Sequence, residues 1–322
     1  MKILVTGGAG FIGSNLCGRL LGEGHEVLCV DNLLTGSIEN IKEFCDHPHF
    51  TFLEHDITQP FLAQADVIFH LASPASPVGY MNHPIETILV NTQGTYQMLE
   101  MARQQQARFL VSSTSEIYGD PQIHPQTEDY WGNVNPIGPR ACYDESKRLA
   151  ETVTMEYLRQ YKVDARIVRI FNTYGPKSQI NDGRMIPNFI TQALKQEPLT
   201  IYGDGSKTRS ICYVTDLVDG LMRAMFKPNT TGEVFNLGNT EEHTVLEFAQ
   251  TIIRLCNASQ NINAAPEIIF ESSRVDDPER RRPNIDKAKR VLGWQPQVSM
   301  EEGLRRSIKW FSKRAEHLST VI

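Results

Sequence analysis

The sequence predicts an α/β protein with a doubly wound parallel sheet and a smaller C-terminal domain. Short runs rich in β-branched residues alternate with helix-periodic stretches through the first half of the 322 residues. From about residue 175 this alternation gives way to shorter pieces separated by glycine and proline. Strands joined by helical crossovers form a parallel sheet covered on both faces. We therefore predict a sheet domain over residues 1–174, and a mainly substrate-binding domain over 175–322 that also supplies the last sheet elements.

Six strands are predicted in the first half. They are Lys2–Thr6, Glu26–Val30, Phe50–Glu54, Asp66–His70, Ala107–Ser112 and Asp164–Ile170. Apolar residues at helical spacing predict a helix after the first strand and a long helix from about Ile85 to Met101. The second half predicts strands near 199–202, 209–213, 233–237 and 266–270, and helices near 185–196, 214–226, 243–256 and 300–316.

Composition and charge argue against several classes of partner. The hydrophobic content of 40% is typical of soluble globular proteins, and no run approaches the ~18 apolar residues of a membrane span. Lys and Arg number 32 against 38 Asp and Glu, so no chain-wide basic surface exists for nucleic acid. Six cysteines without paired spacing, and no signal-peptide pattern, predict a cytoplasmic protein with reduced thiols. The Cys45–His49 loop lacks a second ligand cluster, so we expect no metal site.

Three glycines follow the first predicted strand and open the next helix. Gly7, Gly10 and Gly13 have the spacing GxxGxxG, with Phe11 and Ile12 between the last two. Glycine allows a sharp turn and a close approach of a pyrophosphate, and the N–H groups at the helix start attract that anion. The pattern predicts a dinucleotide-binding turn, and with it a sheet of the Rossmann type.

An acidic residue ends the second predicted strand. Asp31, followed by Asn32, lies where a carboxylate can bind both ribose hydroxyls and repel a 2′-phosphate. This favours NAD over NADP, the alternative being an ordinary turn residue at a strand end. After the third strand, Asp56 and Ile57 are candidates for contact with the adenine edge.

Tyr143 and Lys147 share one face of a predicted helix, because they are four residues apart. A phenol with a pKa near 10 is a poor base at neutral pH, but an adjacent ammonium and a positive nicotinamide ring would both stabilise its anion. Thr114, at the end of the fifth strand, supplies a hydroxyl on the ligand side of the sheet. Such a pair occurs by chance in many helices, but with the glycine turn and Asp31 it predicts an enzyme that moves a hydroxyl proton.

The chain resembles the extended short-chain dehydrogenase/reductases, which modify nucleotide sugars. The resemblance covers nearly the whole chain and depends on four motifs, Leu71–Pro77, Ser113–Pro121, His124–Gln126 and Tyr130–Glu145. Within that family the chain is most similar to the branch that decarboxylates UDP-glucuronate. The resemblance implies tightly held NAD, a dinucleotide domain, a small UDP-sugar domain and a homodimer built around a helix pair.

The resemblance also implies residue roles. Thr114, Glu116, Tyr143 and Lys147 become the catalytic group, and Leu71 joins the cofactor-binding residues. Substrate contacts fall on Asn172, Arg184, Tyr202, Arg209 and Arg281. Three adjacent arginines, Arg280, Arg281 and Arg282, cannot all face one ligand, and a solvated turn is the alternative for the rest.

The implied reaction is decarboxylation of UDP-glucuronate to UDP-xylose and CO₂ through a 4-keto sugar, with NAD regenerated on the enzyme. Thr114 and Lys147 would orient the reacting oxygen, while Glu116 and Arg281 would position the carboxylate or relay the C5 proton. A nucleotide-sugar 4-epimerase or 4,6-dehydratase is the alternative. A dehydratase typically carries Asp-Glu after the threonine, where this chain has Ser115 and Glu116. A non-catalytic NAD-sensing regulator is the alternative from another class, but such proteins often lack the tyrosine or the lysine, and this chain has both.

Three further titratable residues have simpler interpretations than catalysis. His70 ends an apolar strand and is expected to be structural. Asp144 and Glu145 lie in the first turn of the predicted Tyr143 helix, where acidic residues complement the helix macrodipole.

Overall fold

A seven-stranded parallel sheet forms the centre of the protein. The computed structural model describes residues 1–180, 183–260, 265–272 and 281–319, with side chains to residue 314. Across the sheet the strands are β11 (Val234–Leu237), β6 (Ala165–Ile170), β5 (Arg108–Thr114), β4 (Val67–His70), β1 (Lys2–Thr6), β2 (Glu26–Asp31) and β3 (Phe50–Glu54). The direction of winding reverses between β1 and β4, which opens a crevice at the carboxyl ends of the strands. The predicted doubly wound α/β fold is confirmed.

Helices cover both faces of the sheet. In chain order they are α1 (Phe11–Gly22), α2 (Pro77–Asn82), α3 (Pro84–Leu89), α4 (Thr95–Gln105), α5 (Ala141–Tyr161), α6 (Met185–Leu194), α7 (Val214–Phe226), α8 (Val245–Gln260) and α9 (Met300–Ser319). Side chains alternate along β1, so Ile3 and Val5 join the core beneath α1 and α7, whereas Leu4 joins the core beneath α4 and α5. The sheet is therefore buried on both sides.

The second half of the chain adds three pairs of short strands. β8 (Leu199–Tyr202) pairs with β13 (Ile268–Glu271), β7 (Thr173–Tyr174) with β10 (Cys212–Tyr213), and β9 (Thr208–Arg209) with β12 (His243–Thr244). The single strand predicted near 209–213 is thus two short strands with different partners. β11 belongs to the main sheet, so the later part of the chain completes one sheet edge.

The long helix predicted from Ile85 to Met101 is not continuous. α3 ends at Leu89, a π-helical turn covers Val90–Gly94, and α4 begins at Thr95. The widened turn brings the backbone of Gly94 against Ile57, where a Cβ would lie 3.0 Å from that side chain. Close packing against Ile57 therefore accompanies the interruption, which the apolar spacing alone did not predict.

In the described part of the chain, no helix has the length and apolar character needed to cross a membrane. Those same ranges contain no group of three or more His, Cys, Asp or Glu side chains arranged to hold a metal ion.

Candidate active site

A cavity of about 590 Å³ lies at the carboxyl ends of the sheet strands. Its floor is formed by the ends of β2, β5 and β6, and its far wall by residues of α6, β8 and β9. Every candidate residue named from the sequence lines this one cavity. The fold therefore brings the predicted cofactor, catalytic and substrate residues together.

The glycine turn between β1 and α1 has the geometry that a bound pyrophosphate requires. Gly7 has φ +68°, and a Cβ there would lie 2.8 Å from the backbone of Ala72. A Cβ on Gly13 would collide with the carbonyl oxygen of Gly7. Gly10 precedes the first residue of α1 and has no side chain to cap the helix, so the first N–H groups remain available to a ligand. The turn fits the phosphates of a dinucleotide.

Asp31 holds this turn and also faces the cavity. Its carboxylate accepts hydrogen bonds from the backbone N–H of Ala9, at 3.0 Å, and of Leu33, at 2.8 Å. Burial raises the pKa of Asp31, and these backbone donors oppose the rise. Asn32 donates to Asp56 at 3.5 Å, so the residues expected near ribose and adenine form one edge of the cavity. Asp31 can therefore both hold the glycine turn through backbone hydrogen bonds and bind ribose hydroxyls from the cavity.

Tyr143, Lys147 and Thr114 meet where β5 ends against the first turns of α5. Thr114 and Tyr143 both line the cavity at this point. The Lys147 amine donates to the carbonyl of Ser112 at 2.8 Å and lies 6.0 Å from the centre of the Tyr143 ring. The tyrosine and lysine thus share a helix face, as the four-residue spacing predicts.

Burial shifts the pKa of both members of this pair. Burial raises the pKa of Tyr143 above its usual range, with the Thr114 hydrogen bond and Arg184 opposing the rise. Burial also lowers the pKa of Lys147 to about 7, with Glu151 opposing the fall. The lysine is only partly an ammonium at neutral pH, and it does not bring the phenol to ionisation in this structure. Further positive charge close to the phenol would lower the pKa of Tyr143.

Glu116 is bound by two arginines. Arg140 donates to one oxygen of its carboxylate and Arg281 to the other. Burial raises the pKa of Glu116, but the two guanidinium groups outweigh burial and hold that pKa below its ordinary value. Glu116 is therefore ionised at neutral pH, and both of its oxygens are engaged.

A bridge between Gln126 and Pro283 fixes the segment that carries Arg281. The backbone N–H of Arg282 donates to the Gln126 side chain at 3.0 Å, and the Arg282 guanidinium pairs with Glu242 at 3.1 Å. Arg281 faces the cavity, while Arg282 makes a separate ion pair. Arg280, the third arginine of the run, lies outside the described residues.

The remaining candidates form the wall opposite the sheet. Asn172 follows β6, Arg184 precedes α6, Tyr202 ends β8 and Arg209 lies in β9. Two arginines and a tyrosine on this wall suit a ligand with phosphates and an aromatic base.

Comparison with known proteins gives the family. The GDP-mannose 4,6-dehydratase family matches residues 4–307. UDP-glucuronic acid decarboxylase 1 of Danio rerio is 53% identical over 316 residues, which cover 98% of this chain and 74% of that protein. UDP-glucuronic acid decarboxylase 3 of Arabidopsis thaliana is 52% identical over 305 residues, which cover 94% and 87%. The chain belongs to the UDP-glucuronic acid decarboxylase family, within the extended short-chain dehydrogenase/reductases.

Solved structures with the same fold include two epimerases. A UDP-glucuronic acid 4-epimerase from Bacillus cereus, in complex with UDP-glucuronic acid and NAD, is 29% identical with a TM-score of 0.86, over 98% of this chain and 100% of that one. The epimerase Mth375 from Methanothermobacter thermautotrophicus is 33% identical with a TM-score of 0.87, over 99% and 94%. Identity is thus higher to the decarboxylase family than to these epimerases.

Sequence reasoning missed two residues that this member of the decarboxylase family places in the cavity. Arg140 is one of the two arginines on Glu116, and it lies inside the Tyr130–Glu145 motif. Tyr80, in α2, stacks on Tyr143 with ring centres 5.1 Å apart and planes 10° apart. Both lie in or just after quoted motifs, which is the signal that could have identified them.

His70 is a buried structural residue, as expected. Its ring nitrogens are hydrogen-bonded to the hydroxyls of Thr6, at 2.8 Å, and Thr95, at 2.9 Å. Burial lowers the pKa of His70 to about 3, so the ring stays neutral. It ties β1 and β4 to α4 and takes no part in the cavity.

Proposed function

We propose that this chain decarboxylates UDP-glucuronate to UDP-xylose and CO₂ through a 4-keto sugar, using and regenerating NAD in each turnover. One observation carries the proposal. Glu116 and two arginines, Arg140 and Arg281, line the cavity beside the Tyr143 hydroxyl, in a chain 53% identical to a UDP-glucuronic acid decarboxylase. A substrate carboxylate has cationic partners there, next to the group that would exchange the C4 hydroxyl proton.

NAD is the proposed cofactor. The glycine turn fits its pyrophosphate, and Asp31 and Asn32 lie at the cavity edge where its ribose would bind. A bound NAD would supply the acceptor for the C4 hydride and the donor for its return. Asp31 would repel a 2′-phosphate, so cofactor released by denaturing the purified protein should be NAD(H), and release of NADP(H) would contradict the assignment.

Tyr143 is the proposed acid and base at C4. It would take the C4 hydroxyl proton as C4 is oxidised and return that proton at the end. Thr114, which lines the cavity with Tyr143, would orient the same oxygen. Lys147 would contribute positive charge close to the ring, to the extent that it is protonated.

Oxidation at C4 makes the C5 carboxylate β to a ketone. The bond between C5 and the carboxyl carbon then breaks, CO₂ leaves, and the electron pair is delocalised onto the C4 oxygen. C5 takes a proton before C4 is reduced again. Because both Glu116 oxygens are engaged by arginine and its pKa is lowered, we assign Glu116 to positioning of the arginines rather than to proton delivery.

The opposite wall would hold the nucleotide. We assign Arg184 and Arg209 to the UDP phosphates and Tyr202 to the uridine, with Asn172 reaching the sugar. Arg184, Tyr202 and Arg209 follow residue 175 in the chain, which supports the proposed division into a cofactor domain over 1–174 and a mainly UDP-sugar-binding part over 175–322, while Asn172 lies just before that boundary.

A homodimer and a cytoplasmic location complete the proposal. Apolar side chains on α3, α4 and α5 remain exposed in the single chain, namely Ile85, Ile88, Leu89, Tyr96 and Leu149. Such a patch on a helix pair favours contact with a second copy. All six cysteines, each within the described ranges, are free thiols, which suits a reducing compartment.

Incubation of the purified protein with UDP-glucuronate and NAD, followed by NMR of the products, tests the function. We expect UDP-xylose and CO₂. UDP-galacturonate would instead show a 4-epimerase, and an unchanged substrate in the presence of bound NAD would favour a non-catalytic role.

A further inference from the structure

Asp144 is a buried carboxylate that the proposed reaction does not yet use. It lies in the first turn of α5, where acidic side chains are usually solvated and complement the helix macrodipole. Here the residue is only 8% exposed, and its Oδ1 is buried with no hydrogen-bond partner among the described residues. A buried acceptor in that state is costly as a carboxylate and less so as a neutral acid.

Ionisable groups from three other segments interact electrostatically with Asp144. Glu116 follows β5, Arg281 belongs to the segment bridged to Gln126, and Tyr80 lies on α2. From its own helix region the facing groups are Arg140, Cys142, Tyr143 and Glu145. Glu145 points outward and pairs with Arg148 at 3.6 Å, so it contributes less than the buried groups.

Among the described residues, the buried acidic and basic side chains of this cluster are equal in number. Two carboxylates, Glu116 and Asp144, face two guanidinium groups, Arg140 and Arg281. Glu116 takes hydrogen bonds from both arginines, which leaves Asp144 with the weaker share of the positive charge. Burial raises the pKa of Asp144 to about 7, Glu116 adds to the rise, and the arginines oppose it.

A carboxylate ligand bound at Arg140 and Arg281 adds one negative charge to this cluster. Three carboxylates would then share two cations in a site shielded from water. A third negative charge favours the neutral form of whichever acid is closest to protonation. That acid is Asp144, since the arginines hold Glu116 ionised.

We propose that binding of UDP-glucuronate is coupled to uptake of a proton by Asp144, which neutralises this carboxyl as the substrate carboxylate enters the cluster. The inference rests on the proposed function, because it requires the substrate carboxylate to lie at Arg140 and Arg281. Replacement of a carboxylate by hydrogen consumes one proton in each turnover, so the coupling also brings a proton into the site together with the substrate.

The coupling predicts how the affinity for UDP-glucuronate changes with pH. Well below pH 7 Asp144 is already neutral, so UDP-glucuronate binds without further uptake. Above pH 7 the free site must gain a proton, so affinity for UDP-glucuronate falls as pH rises, by up to about tenfold per pH unit. UDP-xylose has the same UDP group and no carboxylate, so its affinity should not follow this dependence.

Calorimetry on the holoenzyme measures the proton directly. We would titrate the full-length Tyr143→Phe protein, in which turnover is slowed, with UDP-glucuronate and with UDP-xylose at pH 7.5. The binding heat is measured in several buffers of different ionisation enthalpy, and its slope against that enthalpy gives the number of protons taken up. We expect most of one proton per site for UDP-glucuronate and close to none for UDP-xylose.

Two further variants, each made in the Tyr143→Phe protein, identify the side chain that takes up the proton. Asp144→Asn should bind UDP-glucuronate with no uptake, whereas Glu145→Gln, a change at the adjacent exposed carboxylate, should keep it. If Asp144→Asn does not fold, the Kd values of UDP-glucuronate and UDP-xylose are measured in the parent protein across pH 6–9. A ratio of these two Kd values that stays constant with pH would overturn the proposal.

Binding of UDP-glucuronate without uptake, or unchanged uptake in Asp144→Asn, would overturn the coupling and leave the decarboxylase function standing. Failure of the protein to decarboxylate UDP-glucuronate would contradict both the proposed function and the proposed coupling.

Discussion

Burial acts on the pKa of each ionisable side chain around the Tyr143 hydroxyl. The phenol pKa is raised, the Lys147 pKa is lowered to about 7, and Glu116 is kept ionised only by its two arginines. Charge supplied by ligands therefore controls the chemistry more than charge on the resting protein does.

Tyr143→Phe tests the assignment of the proton-exchanging group. The change keeps the ring that stacks on Tyr80 and removes the only hydroxyl placed to exchange the C4 proton. We expect the turnover of UDP-glucuronate to fall by about 10²–10⁴-fold, with UDP-sugar affinity nearly unchanged. Tyr157→Phe on the same helix, whose hydroxyl bonds Glu100 at 3.2 Å, should retain the parental rate. Near-full activity in Tyr143→Phe would remove the tyrosine from the mechanism.

Arg281→Gln tests the carboxylate-binding role, with its neighbour as the control. The change removes a charge-assisted contact to Glu116 and to the proposed substrate carboxylate, a loss of about 1.5–3 kcal/mol, or roughly 10–10²-fold in CO₂ release. Arg282→Gln removes an equal charge that is paired with Glu242, and should change the rate little. Single-turnover NADH absorbance should show that C4 oxidation survives in Arg281→Gln. Equal rates in the two variants would contradict the assignment.

At the scale of elements, the cofactor turn was predictable because its determinants are local. Gly7, Gly10 and Gly13 lie within one strand–turn–helix unit, and the Tyr143 and Lys147 spacing is set by one helix. The Glu116 cluster was not predictable from spacing, since Arg140 and Arg281 are 24 and 165 residues away in the chain. Only the family resemblance pointed to Glu116 and Arg281, and Arg140 was missed.

Gly13→Ala tests the turn against a matched change on the same helix. A methyl group at Gly13 would collide with the Gly7 carbonyl, whereas nothing lies within 4 Å of a Cβ on Gly22. We expect Gly13→Ala to lose bound NAD(H) and about 1–3 kcal/mol of unfolding free energy. Gly22→Ala should keep its NAD(H) and change stability by no more than about 1 kcal/mol. The cofactor content of each purified protein and its denaturant unfolding curve give the answer, and equal NAD(H) content in both would refute the role of the turn.

For the whole molecule, the doubly wound sheet followed from strand spacing, and six predicted strands of the first half match observed ones within two residues at each end. The break between α3 and α4 did not follow, because it accompanies packing of Gly94 on Ile57, which lies far away in the chain. Of the apolar residues used to predict that helix, Met98, Leu99 and Met101 are buried in the core, whereas Ile85, Ile88 and Leu89 are exposed in the single chain. Their apolar character is better explained by a second copy of the chain than by the core.

Leu149→Arg tests this explanation. Leu149 is 46% exposed on α5, beside the exposed side chains of α3, and a buried charge there should separate the proposed dimer. Sedimentation velocity should give a dimer for the parent and a monomer for Leu149→Arg. Leu62→Arg changes an apolar residue that is fully exposed elsewhere and should leave the dimer intact. A monomeric parent, or dissociation of both variants, would contradict the proposed interface.

The most direct test of the decarboxylase assignment follows hydrogen through one turnover in D₂O. C5 gains its hydrogen from water or an exchangeable group after CO₂ leaves, whereas C4 recovers its own hydrogen when the hydride is returned. NMR of the product formed from UDP-glucuronate should therefore show UDP-xylose with deuterium at C5 and the original hydrogen at C4. Formation of UDP-galacturonate as sole product, or deuterium at C4 with none at C5, would contradict the proposed reaction.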